Sequence, residues 1–196
     1  GWYTAYTPYQ PEISQGRMEA FINFQTVVAD LTGMELSNAS LLDEGTAAAE
    51  AMAMAHSLNR QKKNTFFVNK NTFPQTLEVI HTRALPLGIK VIVGDFSECP
   101  WDEIFAAYTQ YPGADGTLQD FQKWSDQAHA QKALMIASTD LLALTLFKAP
   151  GEMGADIVVG ISQRVGVPMG FGVPHAAFIA TKETKARSLA GRIVAV

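Results

Sequence analysis

The chain has 196 residues, enough for one substantial core, with 47% apolar and only 17% charged residues, against about 25% charged in an ordinary soluble domain. A surface so poor in charge is expected to be partly covered by other protein. The formal net charge is −4 and the basic residues are dispersed, which excludes the electrostatic footprint of a nucleic-acid binder. No apolar run reaches the roughly 18 residues of a membrane span. Cys99 is the only cysteine, so an intramolecular disulfide is excluded and a thiolate metal site would need ligands from elsewhere. The chain opens on Gly1-Trp2-Tyr3 and stops on Ile193-Val194-Ala195-Val196. Both ends read as cut from a longer polypeptide, so targeting is not legible.

From the amino terminus, Tyr6-Thr7-Pro8-Tyr9-Gln10-Pro11-Glu12 sets two tyrosines, an amide and a carboxylate among prolines. Proline fixes φ and disfavours helix at the preceding residue, so this is a stiff, extended segment that either lines a cleft or lies as a surface arm. From Ser14 to Thr32, Met18, Phe21, Ile22, Val27, Val28 and Leu31 recur at helical spacing, and Gly33 stands where a helix would stop. A second helix is expected over Thr46–His56, where a run of alanines follows Asp43 and Glu44, two carboxylates suited to a positive helix start. Alanine lets such a helix press close to a sheet.

Short β-prone runs follow at Thr65–Val68, Lys90–Val93, Phe105–Thr109, Ala133–Ala137 and Asp156–Val159. They alternate with helical or loop segments at Pro74–Ala84, Pro100–Ile104 and Leu118–Gln131. That order reads as an α/β fold with a mostly parallel open sheet flanked by helices. The stretch Val167–Gly172 followed by Ala176–Ala180 is too short for a helical crossover. It is expected to form a hairpin that adds one antiparallel strand. No internal repeat or long linker interrupts the chain, and residues 1–196 read as a single domain.

The candidate chemistry is sparse. The segment Ala39–Thr46 leads into the alanine-rich helix, whose free N–H groups and Thr46 are candidates for holding a phosphate. Asp43 and Glu44 oppose a phosphate there, and an acidic helix cap is the favoured reading. Neither a dinucleotide nor a nucleoside triphosphate glycine motif occurs, and no serine or cysteine stands in a nucleophile motif. The glycine-rich Gly166–Pro174 suits a tight turn. His56, His81 and His129 are far apart and read as helix-surface or core residues, so no metal site is expected. His175 differs, because it follows Gly172-Val173-Pro174 at a strand start, where α/β proteins place functional groups.

Several long stretches taken in order carry a resemblance: Tyr6–Arg17, Asn38–Glu44, Gln110–Gly113, Pro150–Gly160, Ser162-Gln163-Arg164 and Pro174–Phe178. Over essentially the whole chain the sequence resembles the glycine decarboxylase P-protein family (glycine dehydrogenase, aminomethyl-transferring). The matching segment is the large domain of its amino-terminal half, or subunit 1. The resemblance implies the fold of aspartate-aminotransferase-type (fold type I) pyridoxal phosphate enzymes. It also implies an enzyme, in the complete protein, that decarboxylates glycine with pyridoxal phosphate and passes the aminomethyl group to the lipoylated H-protein.

In that family the Schiff-base lysine belongs to the carboxyl-terminal half, or subunit 2, which is the implied partner in a dimer or heterotetramer. Here Asp140 stands where an aspartate would face the pyridine nitrogen, and the lysine position falls at or within one residue of Gln163. No lysine occurs between Lys148 and Lys182. Thr46 and Asp140 are therefore expected to be remnants of a degenerate pocket, with no cofactor on this segment. The resemblance further implies that Tyr9, Gln10, Glu12 and His175 line the shared active site. The location it implies is cytoplasmic in a bacterium and mitochondrial in a eukaryote. Two alternatives are a segment of another fold type I enzyme and a non-catalytic interaction module.

Overall fold

The computed structural model describes residues 11–168, 170, 172 and 174–194. Tyr9, Gln10 and Val173 lie outside the described residues. The elements are α1 (Gln15–Thr32), β1 (Leu36–Ser37), α2 (Glu44–Leu58), β2 (Thr65–Asn69), α3 (Pro74–Ala84) and β3 (Lys90–Gly94). They continue with β4 (Ile104–Tyr111), α4 (Gln122–Ala130), β5 (Leu134–Asp140), β6 (Ile157–Ile161) and β7 (Ala177–Thr181). One sheet runs in the order β1-β7-β6-β5-β4-β2-β3. Neighbours from β6 to β3 pair in parallel, while β7 is antiparallel to both β6 and β1. The expected architecture holds, a mostly parallel α/β sheet with one antiparallel strand.

Local chemistry sets the helix boundaries. α1 stops at Gly33, whose φ of 68° is the left-handed conformation that glycine adopts without penalty. The N–H groups of Gly33 and Met34 then close onto the carbonyls of Asp30 and Ala29. One residue of the apolar face expected for this helix turns outward, since Val27 is 46% exposed while Val28 is buried and Met18, Phe21, Ile22 and Leu31 are half-buried. The difference arises because polar Gln25 takes an inward position. Its amide donates to the Val194 carbonyl and accepts from the Val194 N–H, each at 2.8 Å, as a strand neighbour would. α3 begins on Pro74, which needs no N–H partner at the first helical position.

Strand side chains alternate between two apolar layers. Phe66, Val68, Tyr108, Ile136, Ile157, Val159 and Ile179 pack under α2, whose Ala47, Ala48, Ala51 and Ala55 are wholly buried. Phe67, Ala107, Met135, Val158 and Phe178 form the opposite layer with Val28, Phe121 and Ala128. Both faces are covered, as a parallel sheet requires.

The hairpin departs from expectation in one arm. β7 pairs with β6, not with Val167–Gly172, and residues 162–176 connect the two strands. Gly166 and Gly172 take φ of 115° and 67°, and Pro168 and Pro174 carry no N–H, so that stretch cannot sustain a ladder. β1, a two-residue strand against β7, was too short to leave a periodic signal. Residues 101–103 form a turn, and Ile104 already belongs to β4.

At the amino end of the sheet, buried Asp156 ties four segments together. Its carboxylate accepts from the Met135 N–H at 3.0 Å and from His129 Nε2 at 2.7 Å, and it lies 3.4 Å from Lys185 Nζ. Burial pushes this carboxyl up, but the hydrogen bonds from His129 and Met135 and the nearby Lys185 charge outweigh it and hold it below the usual range. The Asp156 hydrogen bond holds the His129 imidazole above its ordinary value, against the opposing effect of burial. A raised histidine contributes stability that is fully present below about pH 6.5 and is lost as pH rises through the folded value.

Two predictions follow from the packing. Denaturation midpoints of the wild type should fall as pH rises above about 6.5, and His129→Asn should remove that component; an unchanged pH profile in the variant would contradict the latch. In β6, a Cβ on Gly160 would lie 2.0 Å from the Thr139 carbonyl oxygen. Gly160→Ala should therefore destabilise by about 3 kcal/mol, read from chemical denaturation, and a wild-type midpoint would refute this close approach.

Candidate functional site

Strand order places a crevice at the carboxyl end of the sheet. β2 leads to β3 on one side while β4 lies on its other side. The segments leaving β2 and β4 therefore part from one another, the geometry at which open α/β sheets hold ligands. The start of α2 reaches the same end, where Glu44 bonds to β4 and β5 side chains. Two adjoining clefts of about 270 and 530 Å³ open there and share Glu44, Phe73, Ile161 and Gln163. The smaller adds Gln110, Asp140 and Arg164, and the larger adds Asp43 and His175.

Several polar groups there have defined partners, while Gln110 Oε1, Thr139 Oγ1 and Thr76 Oγ1 are buried without one among the described residues. Asp43 caps α2, its Oδ1 accepting from the Thr46 N–H at 2.7 Å and from the Thr46 hydroxyl at 2.9 Å. Thr46 answers by accepting from the Asp43 N–H at 3.2 Å. The Glu44 carboxylate accepts from Ser138 Oγ at 2.5 Å and from Gln110 Nε2 at 3.0 Å. Tyr108 lies behind this group, and burial, with Glu44's charge adding to it, pushes its phenol well above the ordinary range.

Asp140, at the end of β5, accepts from the Leu142 N–H at 2.9 Å and pairs with Arg164 at 3.2 Å. Gln163 is 5% exposed and faces both clefts.

The structure brings Asp140, Gln163 and His175 to one end of the sheet. It does not bring Glu12 into either lining; that residue is exposed in a short 3-10 turn, Pro11–Ile13. Thr46 lines neither cleft, because its N–H and hydroxyl are spent on the cap. Sequence reasoning missed Ser138, Gln110 and Arg164 as parts of the site. The available signal was polarity at strand ends, in Ser138-Thr139-Asp140 and in Arg164 beside Gln163.

The groups lining these clefts are chemically unfavourable to pyridoxal phosphate. Its phosphate would meet the carboxylates of Asp43 and Glu44, and a like charge about 4 Å away costs about 4 kcal/mol at an effective dielectric near 20. Its ring nitrogen would compete with Arg164 for Asp140. No lysine lines either cleft to bind its aldehyde. What the clefts can do is hold polar groups against a fixed carboxylate and an ion pair.

Comparison with known proteins bears on the same residues. The glycine cleavage system P-protein family matches residues 1–196. The chain is 57% identical over 196 residues to glycine dehydrogenase (decarboxylating) 2 of Colwellia psychrerythraea. It is 56% identical over 197 residues to glycine dehydrogenase (decarboxylating) of Nostoc sp.. Each match covers 100% of this chain and 20% of the relative, so the chain spans about a fifth of their length. A crystal structure of glycine decarboxylase (P-protein) in inhibitor-bound form superposes with TM-score 0.89 at 38% identity, covering 97% of this chain and 44% of that one. Cystathionine gamma-lyase from Lactobacillus plantarum superposes at TM-score 0.69 and 16% identity over 98% of this chain and 54% of its own. This second likeness speaks to the fold alone, that of fold type I pyridoxal enzymes.

Proposed function

Because the chain belongs to the glycine cleavage system P-protein family, we propose that it is a non-catalytic part of an enzyme that decarboxylates glycine. In the complete protein, pyridoxal phosphate serves as the electron sink while glycine's carboxylate leaves as carbon dioxide. The aminomethyl group then passes to the lipoyl arm of the H-protein. The cofactor and the lysine that binds it belong to the carboxyl-terminal half, fused or as a second subunit. The present segment, residues 1–196 of the amino-terminal half, is one large-domain unit that supports that half and forms a wall of its active site.

The observation that carries this reading is the buried carboxamide of Gln163 facing both clefts, beside an α2 start closed by Asp43 and Glu44. A pocket so arranged repels a phosphate ester and offers no amine. Exposed apolar residues support burial against other protein, with Leu146 82%, Leu42 74% and Val165 55% exposed. No helix among the described residues is long and apolar enough to cross a membrane. The enzyme would work in the bacterial cytoplasm, or in the mitochondrion of a eukaryote.

Tyr9, Gln10, Glu12 and His175 are the residues proposed to line the shared active site. In the complete enzyme, Tyr9→Ala and Glu12→Ala should each lower kcat/KM for glycine decarboxylation by about tenfold or more, roughly 1.4 kcal/mol. Denaturation midpoints should hardly move, because Glu12 is exposed. Normal turnover in both variants would reduce the segment to a structural arm and favour the interaction-module alternative.

A further inference from the structure

The opposite end of the sheet carries a second cleft of different character. It measures about 340 Å³ and lies at the amino ends of β4 and β5, with Phe105 and Leu134 among its lining. That volume falls within the range of small-molecule pockets. Three cations line it, Arg60, Lys132 and Lys185, and no carboxylate does. In a chain of net charge −4, such a concentration is not a consequence of composition.

The three cations are held in different ways. Lys185 is steered by buried Asp156, 3.4 Å away, and its side chain is only 18% exposed. Arg60 and Lys132 form no ion pair among the described residues. Arg60 sits in the loop after α2, which is fixed locally by the Asn59 carboxamide, donating to the Lys63 carbonyl and accepting from the Gln61 N–H.

Lys132 occupies a position that backbone chemistry reserves for glycine. It follows the end of α4 with φ of 57°, its N–H bonded to the His129 carbonyl and that of Ala133 to the Ala128 carbonyl. A residue with a Cβ is strained there, and glycine is the usual occupant. Basic side chains at helix ends do offset the helix dipole, yet that benefit does not require a pocket floored by Phe105 and Leu134. Lys132 thus presents a cation to the cleft from a left-handed backbone position, a conformation that Lys62, outside the lining, also adopts at φ of 56°.

We propose that this amino-end cleft is a binding site for a small phosphomonoester, with Arg60, Lys132 and Lys185 around the phosphate and the organic part against Phe105 and Leu134. Two cations without ion pairs match the charge of a phosphomonoester dianion, and a guanidinium suits its planar pairs of oxygens. Thr184 adds a hydroxyl to the lining. The site lies at the end of the sheet remote from Glu44 and Gln163, so its occupancy is independent of the carboxyl-end clefts.

The test uses the complete protein with pyridoxal phosphate bound at its cofactor site and all free cofactor removed by dialysis, since free cofactor is itself a phosphomonoester, and titrates it calorimetrically with phenyl phosphate, inorganic phosphate and benzyl alcohol. Phenyl phosphate should bind saturably, inorganic phosphate should bind about tenfold more weakly, and the neutral alcohol should not bind. Arg60→Gln and Lys132→Gly should each weaken phenyl phosphate by about tenfold or more while glycine decarboxylation stays at the wild-type level. Lys132→Gly should also match or exceed the wild-type melting temperature, since glycine relieves the strained φ. Absence of saturable binding, equal affinity for both phosphates, or wild-type binding in the two variants would overturn the proposal.

Discussion

The carboxylate of Glu44 at the start of α2 fixes the chemistry of the carboxyl end of the sheet. A parallel α/β sheet delivers strand ends and a helix start to one place, and the helix start there is normally an invitation to an anion. In this chain the invitation is answered from within. Asp43 takes the free N–H and hydroxyl of Thr46, and Glu44 takes the donors of Ser138 and Gln110. Two carboxylates stand at the mouth, Arg164 covers Asp140, and Gln163 supplies a carboxamide. The fold retains the outline of a ligand site while its electrostatics are reversed for a phosphate ester.

That reversal gives the proposed division of labour a physical basis. A segment whose own crevice is closed by its side chains can still hold a neighbour, and its buried polar contacts stiffen the surface it presents. The apolar residues left outside, Leu146 and Val165 among them, flank the same carboxyl end through the segments following β5 and β6. At the amino end, Asp156 does the corresponding work of closure, tying α4, β5 and β6 to the segment after β7 through His129, Met135 and Lys185. The clefts at the two ends of one sheet thus differ in charge, with Asp43, Glu44 and Asp140 at the carboxyl end and Arg60, Lys132 and Lys185 at the amino end.

Much of the fold was legible because it rests on local rules. The β-prone runs and the Pro74–Ala84 helix are set by period and by proline and glycine placement, and the structure reproduces them. β1 was not legible, since two residues against a distant strand leave no period. Nor was the outward turn of Val27, because Gln25 buries its amide for a partner, Val194, far along the chain. At the site, the capping role of Asp43 followed from its place before an alanine-rich helix. The reach of Glu44 to Ser138 and Gln110 did not, since it depends on the strand order that brings β4 and β5 under that helix. The Arg164–Asp140 pair was hidden for the same reason.

The central claim is that this chain does not bind the cofactor covalently, and borohydride reduction of the complete protein tests it most directly. After reduction and proteolysis, the pyridoxyl group should be found by mass spectrometry on a lysine outside residues 1–196, with Lys148 and Lys182 carrying only trace label. A stoichiometric adduct on any lysine within this chain would contradict the account.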